Sequence, residues 1–234
     1  MENRVINLAI VKEVAGALQE LKEHMVFVGG ATISLYTDDP AAGEIRPTSD
    51  IDMTIRMSYT YGQWASMQER LLQLGFSPDP GGHALCSYKY KDISVDIMPS
   101  NEDSRLGPAN RWYKIGFENI QEVQLEHEVI QTLTAPCFLA TKFEAFKHRG
   151  GDYRTSHDFE DIIYVLDNRL HIVDEIDKDD PRIKAFLQAE LQTIMNHTSS
   201  EEILSCYIHP FVIEGRLQIL KEKITQIINL LKTQ

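Results

Sequence analysis

Two aspartates one residue apart, Asp50 and Asp52 in Ser49-Asp50-Ile51-Asp52, have a spacing on which chemistry can be built. On a strand, alternate side chains share a face at a rise of ~3.3 Å per residue, so the two carboxylates would project to one side, roughly 7 Å apart. Ile51, Met53 and Ile55 would then face a core. Paired carboxylates suit a hard cation, because Mg²⁺ takes oxygen ligands and is commonly held by one or two carboxylates together with substrate phosphates. Nucleotidyl transfer uses such a clamp: one ion lowers the pKa of an attacking hydroxyl while another neutralises charge building on a triphosphate. A bare Asp-x-Asp is also common on exposed turns, so its weight depends on its company.

A third carboxylate, Asp96, sits within Ile93-Ser94-Val95-Asp96-Ile97-Met98. Its neighbours have the apolar character of a buried strand, where an isolated carboxylate is costly unless paired or metal-bound. Asp96 is therefore a candidate to ligate metal beside Asp50 and Asp52, or to take a proton from the nucleophile. Gly29 and Gly30 follow the β-prone run Met25-Val26-Phe27-Val28. Glycines at a strand-to-helix turn bare the backbone N–H groups, and a helix N-terminus favours phosphate.

The elements that must position these groups follow from periodicity. Val11, Val14, Ala15, Leu18 and Leu21 have helical spacing, as do Trp64, Met67, Leu71 and Leu74 ahead of Gly75. Residues 31–36 read as a helix leaving the Gly-Gly turn, and residues 51–57 alternate as a strand. Residues 85–90 and 93–98 read as a hairpin around Lys91-Asp92, followed by a loop through Asn110 and short strands within 114–132. The pattern then turns helical. Ala135-Pro136 opens a helix through Phe146, and Ser156 caps another that buries Phe159, Ile162, Ile163 and Leu166. The acidic run from Asp174 to Pro181 reads as a linker or solvated loop ahead of a helix to about Asn196. A last amphipathic helix runs from about Val212 to Lys232, with Leu217, Leu220, Ile224, Ile227, Ile228 and Leu231 as its stripe. The expectation is an α/β fold: a mixed sheet with flanking helices over residues 1–134, then a mainly α-helical half over residues 135–234.

Phe27-Val28-Gly29-Gly30-Ala31 followed by Arg46-Pro47-Thr48-Ser49-Asp50-Ile51-Asp52 resembles the DNA polymerase β-like nucleotidyltransferase superfamily. Within it, the chain resembles the AbiEii/AbiGii-type nucleotidyltransferase toxins. The similarity continues in the stretch from Leu139 to Lys147, in Arg149-Gly150-Gly151-Asp152 and in Ser156-His157-Asp158-Phe159-Glu160-Asp161, so that it spans roughly residues 26–166. The resemblance implies Asp50 and Asp52 as metal ligands and Gly29, Gly30 and Ser49 as the lining of a phosphate pocket. It implies Lys142 as a triphosphate contact and Asp158 as a support of the site. Asp161 lies three residues on, on the same helix face, and is an equal candidate. Mg²⁺ or Mn²⁺ as cofactor, a nucleoside triphosphate as substrate, RNA as acceptor (the 3′ end of transfer RNA) and a cognate antitoxin as partner also follow from the resemblance.

The bulk composition limits the alternatives. The 234 residues are 43% hydrophobic, enough for one large or two small cores. A net charge of −12, from 23 basic and 35 acidic residues, excludes a surface that coats nucleic acid or anionic membrane nonspecifically. Lys142, Lys147, His148, Arg149 and Arg154 form the main basic cluster. Cys86, Cys137 and Cys206 lack CxxC spacing and read as buried thiols. No apolar run approaches the ~20 residues of a membrane span, so a cytoplasmic, non-membrane protein is expected. His157-Asp158 invites a phosphohydrolase reading, but the further spaced histidines that chemistry needs are missing; His83, His197 and His209 lack ligand spacing. Two other readings keep the fold: transfer to a small cationic acceptor such as an aminoglycoside, and a non-catalytic module that binds a partner through its C-terminal amphipathic helices.

Overall fold

The computed structural model describes residues 2–55, 61–82, 86–100 and 110–231. Met57, His83, Leu85, Lys232 and most of the expected loop before Asn110 lie outside them. Contacts divide the chain into two compact units: Met1–Leu35 with Glu44–Thr134, and Tyr36–Gly43 with Ala135–Gln234. No helix among the described residues is long and apolar enough to cross a membrane.

The first unit is built on a mixed sheet. Helix α1 (Glu2–Leu18) runs through a 3₁₀ turn into strand β1 (Met25–Val28). Then follow β2 (Asp50–Ile55), α2 (Tyr61–Gln73), β3 (Phe76–Pro78), β4 (Ser87–Tyr90), β5 (Ile93–Pro99), α3 (Trp112–Gly116), β6 (Gln121–Leu125) and β7 (Glu128–Thr132). The strand order is β3-β4-β5-β2-β1-β7-β6. Strand β2 runs antiparallel to β1 and parallel to β5, and β4 and β5 form the expected hairpin.

Period-two alternation decides what each face of the sheet carries. Ile51, Met53 and Ile55 of β2, Met25 and Phe27 of β1 and Val95 and Ile97 of β5 form the core with Val11, Val14, Ala15 and Leu18 of α1 and Trp64, Met67 and Leu71 of α2. Both helices therefore pack on one face. Asp50, Asp52 and Asp96 alternate with these core residues and belong to the other.

The expected helix after Gly29-Gly30 is present as a seven-residue 3₁₀ helix, Gly30–Tyr36. Thr32 turns back on it: its amide and its Oγ1 both donate to the Gly29 carbonyl, at 3.4 and 2.9 Å. Strand β3 and helix α3 were not foreseen, because three and five residues are too few to display a period.

The second unit comprises α4 (Ala135–His148), α5 (His157–Asn168), α6 (Ile172–Lys178), α7 (Pro181–Met195), α8 (Ser200–Ser205) and α9 (Ile213–Ile228). Ser156 caps α5, its hydroxyl accepting from the Phe159 amide at 3.2 Å. The acidic run is no linker. Its first part is helix α6, which buries Ile172 and Ile176 one turn apart and has Asp174 and Glu175 in its first turn, where the helix dipole favours them. Asp180 then caps α7, with Pro181 at the first helical position. In α9 the buried stripe is Leu220, Ile224 and Ile227, while Leu231 lies past the helix and is exposed. Cys206 is exposed as well, unlike Cys86 and Cys137.

Tyr36–Gly43 is a strap held on the helical unit. The Tyr36 ring stacks on Phe138 at 4.3 Å. The Asp38 and Asp39 amides donate to the Asn168 carbonyl at 3.2 and 3.1 Å, and the Leu170 amide donates to Asp38 Oδ1 at 2.7 Å. Arg216 of α9 locks the arrangement: Nη1 donates to Asp39 Oδ2 at 2.6 Å, Nε to Asp167 Oδ1 at 2.9 Å and Nη2 to Asn168 Oδ1 at 2.7 Å. The hydrogen bond from Arg216 holds the Asp39 carboxyl below its ordinary pKa, while burial pushes that of Asp167 up. Hydrogen bonds to charged groups contribute about 1.5–3 kcal/mol each. Arg216→Met is therefore expected to speed amide hydrogen exchange at Asp38 and Asp39 at least about tenfold. Unchanged protection would mean that the backbone bonds to Asn168 suffice.

Candidate active site

The carboxylates of the first unit are brought together by strand register. Asp52 of β2 is the Cα partner of Asp96 in β5, and Asp50 is the partner of Ser94. Because paired residues on neighbouring strands share a face, Asp52 and Asp96 lie side by side, with Asp50 two residues along on the same face. Asp50 is exposed; Asp52 and Asp96 are partly buried.

Each carboxylate has an identifiable support. Asp50 Oδ1 accepts from the Thr48 hydroxyl at 2.5 Å. Thr48 is itself anchored, its amide donating to Oδ1 of Asn7 at 3.2 Å, while Nδ2 of Asn7 donates to the Arg46 carbonyl at 3.2 Å. Asn7 is fully buried on α1. One turn earlier, Asn3 Nδ2 donates to the Ile45 carbonyl at 2.9 Å, so α1 pins the loop that feeds Asp50 into β2. Asp96 Oδ1 accepts from the Ser87 hydroxyl at 2.5 Å.

Asp52 packs against Gly29. A Cβ built at Gly29 would stand 2.0 Å from Asp52 Oδ2 and 2.7 Å from its Cβ, and Gly29 has φ +75°. No other side chain fits there. The geometry demands that Gly29 leave room for Asp52. Gly30 is buried and opens the 3₁₀ helix, and Ser49 is exposed ahead of β2.

Among the described residues, no group of three histidine, cysteine, aspartate or glutamate side chains converges closely enough to hold a metal ion. Asp50 is turned to Thr48 and Asp96 to Ser87, so the shared backbone face does not amount to a finished three-carboxylate cage. The donor set nevertheless fits a hard divalent cation: it consists of carboxylate and hydroxyl oxygens, and Asp52 and Asp96 are register partners. The Cys86 thiol next to Ser87 is pushed up to about 11, by burial first and by the Asp96 charge second. A thiol raised in this way stays protonated at neutral pH.

In the helical unit, Lys142, Asp158 and Asp161 form one buried ionic cluster. Lys142 Nζ lies 2.7 Å from Asp161 Oδ2 and 3.2 Å from Asp158 Oδ1, and Arg149 Nη1 lies 2.8 Å from Asp158 Oδ2. The side chains of Lys142, Asp158 and Asp161 are only 8%, 4% and 0% exposed. Both aspartates thus face the lysine. Lys142, a point charge of the kind that suits phosphate, is paired with both carboxylates in this arrangement.

Thr48, Ser87 and Asn7 escaped the sequence reading. A serine in an alternating strand and an asparagine on a helix look like solvated residues until register and packing put them against a carboxylate or a loop.

The sequence matches no known protein family and no curated protein. Among solved structures, it is similar to the crystal structure of an antigenic nucleotidyltransferase-like protein from Paracoccidioides brasiliensis, with a TM-score of 0.50 and 15% identity, over 89% of this chain and 96% of that one. At that identity the likeness concerns the fold, and the fold of this chain is nucleotidyltransferase-like.

Proposed function

We propose that the protein is a metal-dependent nucleotidyltransferase that moves a nucleoside monophosphate from a nucleoside triphosphate to an acceptor. The observation that carries this reading is the register pairing of Asp52 with Asp96 on parallel strands, with Asp50 on the same face. Mg²⁺ or Mn²⁺ held by these carboxylates would neutralise charge on the triphosphate. The acceptor hydroxyl oxygen forms the new bond to the α-phosphorus, the bond to pyrophosphate breaks, and the hydroxyl proton passes to Asp96. Gly29 keeps Asp52 in place, and the loop pinned by Asn7 keeps Asp50 in place. Lys142, Asp158 and Asp161 hold α4 to α5 in this scheme; for Lys142 to reach a triphosphate, its bond with Asp161 would have to be exchanged.

The acceptor we propose is RNA, namely the 3′ end of transfer RNA, with the protein acting as the toxin of a toxin–antitoxin or phage-defence system and restrained by a cognate antitoxin. This finer reading rests on the resemblance of the Gly-Gly, Asp-x-Asp and Lys142 to Asp161 segments to the AbiEii/AbiGii-type toxins.

The test is an incubation of the full chain with Mg²⁺ or Mn²⁺, each α-labelled nucleoside triphosphate in turn, and either transfer RNA or an aminoglycoside. Cation-dependent label in the RNA is the expected result. Label in the aminoglycoside would move the reading to a small cationic acceptor, which the net charge of −12 would attract. No label, together with no thermal shift from Mg²⁺ plus triphosphate, would favour a non-catalytic binding module.

A further inference from the structure

Strand β4 contributes a side chain that neither composition nor motif would single out. Ser87 is the register partner of Asp96 across the β4–β5 pair, is 6% exposed, and donates its hydroxyl to Asp96 Oδ1 at 2.5 Å. The other side of Ser87 is closed by a turn. The Asp79 carboxylate accepts from the Gly81 amide at 2.9 Å, its carbonyl accepts from the Gly82 amide at 3.2 Å, and its own amide donates to the Ser87 carbonyl at 2.9 Å. This brings Gly82 onto the serine so tightly that a Cβ at Gly82 would lie 2.4 Å from the Ser87 Cβ and 2.5 Å from its Oγ. The serine side chain is thus held between a glycine that leaves it room and a carboxylate that accepts its hydrogen bond.

We infer that Ser87 is a positioning residue for Asp96: by fixing Oδ1 it sets the rotation of the carboxylate and hence where the second oxygen is offered to a divalent cation. The inference rests on reading Asp96 as a cation ligand. Outer partners that orient a ligating side chain typically contribute 10–100-fold in metal affinity or activity when removed. Asp52 has its counterpart in Gly29, which constrains position by shape; Asp96 is constrained by a hydrogen bond, so chemical deletion of one atom tests it.

The experiment is a Mn²⁺ titration of the full chain followed by electron paramagnetic resonance of the free ion, with circular dichroism as the check on folding. Ser87→Ala is expected to weaken Mn²⁺ binding about 10–100-fold. Gly82→Ala, which keeps the hydroxyl but displaces it, is expected to act in the same direction. In an Asp96→Asn background, Ser87→Ala should change the affinity less than about twofold, because a residue that acts through Asp96 has nothing left to orient. Should Ser87→Ala fail to fold, Gly82→Ala and its combination with Asp96→Asn carry the comparison. Wild-type affinity in Ser87→Ala, alongside loss in Asp52→Asn and Asp96→Asn, would overturn the inference and leave the cation site standing. Absence of Mn²⁺ binding by the wild-type chain at millimolar concentration would overturn both.

Discussion

Lys142→Met is expected to destabilise the helical unit by about 3–5 kcal/mol, the usual consequence of leaving buried charges without their partner. Asp161 has a fully buried side chain and Asp158 a nearly buried one, and Lys142 Nζ stands between them at 2.7 and 3.2 Å. Arg149 holds the other oxygen of Asp158 from a side chain that is 74% exposed, so solvent screens part of its attraction. Removing the lysine brings two carboxylates face to face in a poorly solvated space, where like charges interact strongly. The apparent melting temperature should fall by ~10–20 °C. Asp161→Asn should have a smaller effect, because Lys142 keeps Asp158 and the amide can still accept a hydrogen bond. The comparison separates two roles. A lysine whose work is to touch phosphate would leave the melting temperature near wild type when replaced and would lower only nucleotide transfer.

Gly29→Ala should reduce nucleotidyl transfer at least about 100-fold, because misplacing a catalytic group by ~1 Å is sufficient for such a loss. The added methyl would fall 2.0 Å from Asp52 Oδ2 and 2.8 Å from its Cγ, closer than atoms can approach. Backbone adjustment offers little relief, since φ of +75° already strains any residue with a Cβ, by about 1–3 kcal/mol. The Asp52 carboxylate must therefore leave its position beside Asp96. Transfer by Gly29→Ala should fall to the level of Asp52→Asn, while circular dichroism reports a folded sheet in both. Adding Gly29→Ala to Asp52→Ala should destabilise less than it does alone, since the carboxylate atoms at 2.0 and 2.8 Å are gone and only the Cβ at 2.7 Å remains in the way. Wild-type transfer by the Gly29→Ala protein would remove Asp52 from the reacting centre.

Local periodicity was enough to read β1, β2, the β4–β5 hairpin and the helices that bury Trp64, Met67 and Leu71 or Phe159, Ile162 and Ile163. The common face of Asp50 and Asp52 follows from the two-residue repeat of a strand. Register is different. The pairing of Asp52 with Asp96 is set by how β5 returns parallel to β2 after α2, β3 and β4, and no local pattern encodes that return. Gly29 could be recognised as special from its type, yet its reason, a carboxylate lying against its Cα, exists only once β1 and β2 are paired. Charge counting misled over the run from Asp174 to Pro181: Ile172 and Ile176 make a helix of its first part, and Asp180 becomes a cap because Pro181 follows it. The turn at Gly29-Gly30 announces the helix that leaves it but not its type: Thr32 bonds back to the Gly29 carbonyl and the seven residues take 3₁₀ geometry.

The Tyr36–Gly43 strap also imposes an order of events during synthesis. Asp39 is joined to Arg216 across 177 residues of chain. At ~5–20 residues per second, the arginine leaves the ribosome roughly 10–35 s after the aspartate it must meet. Until then the strap can have its bonds to Asn168 and its stack on Phe138 but no anchor on α9, while α1 already pins the loop ahead of Asp50. A translating chain of this kind therefore acquires its Asp-x-Asp strand early, the contacts of the strap with Phe138 and Asn168 next, and its tether to Arg216 last.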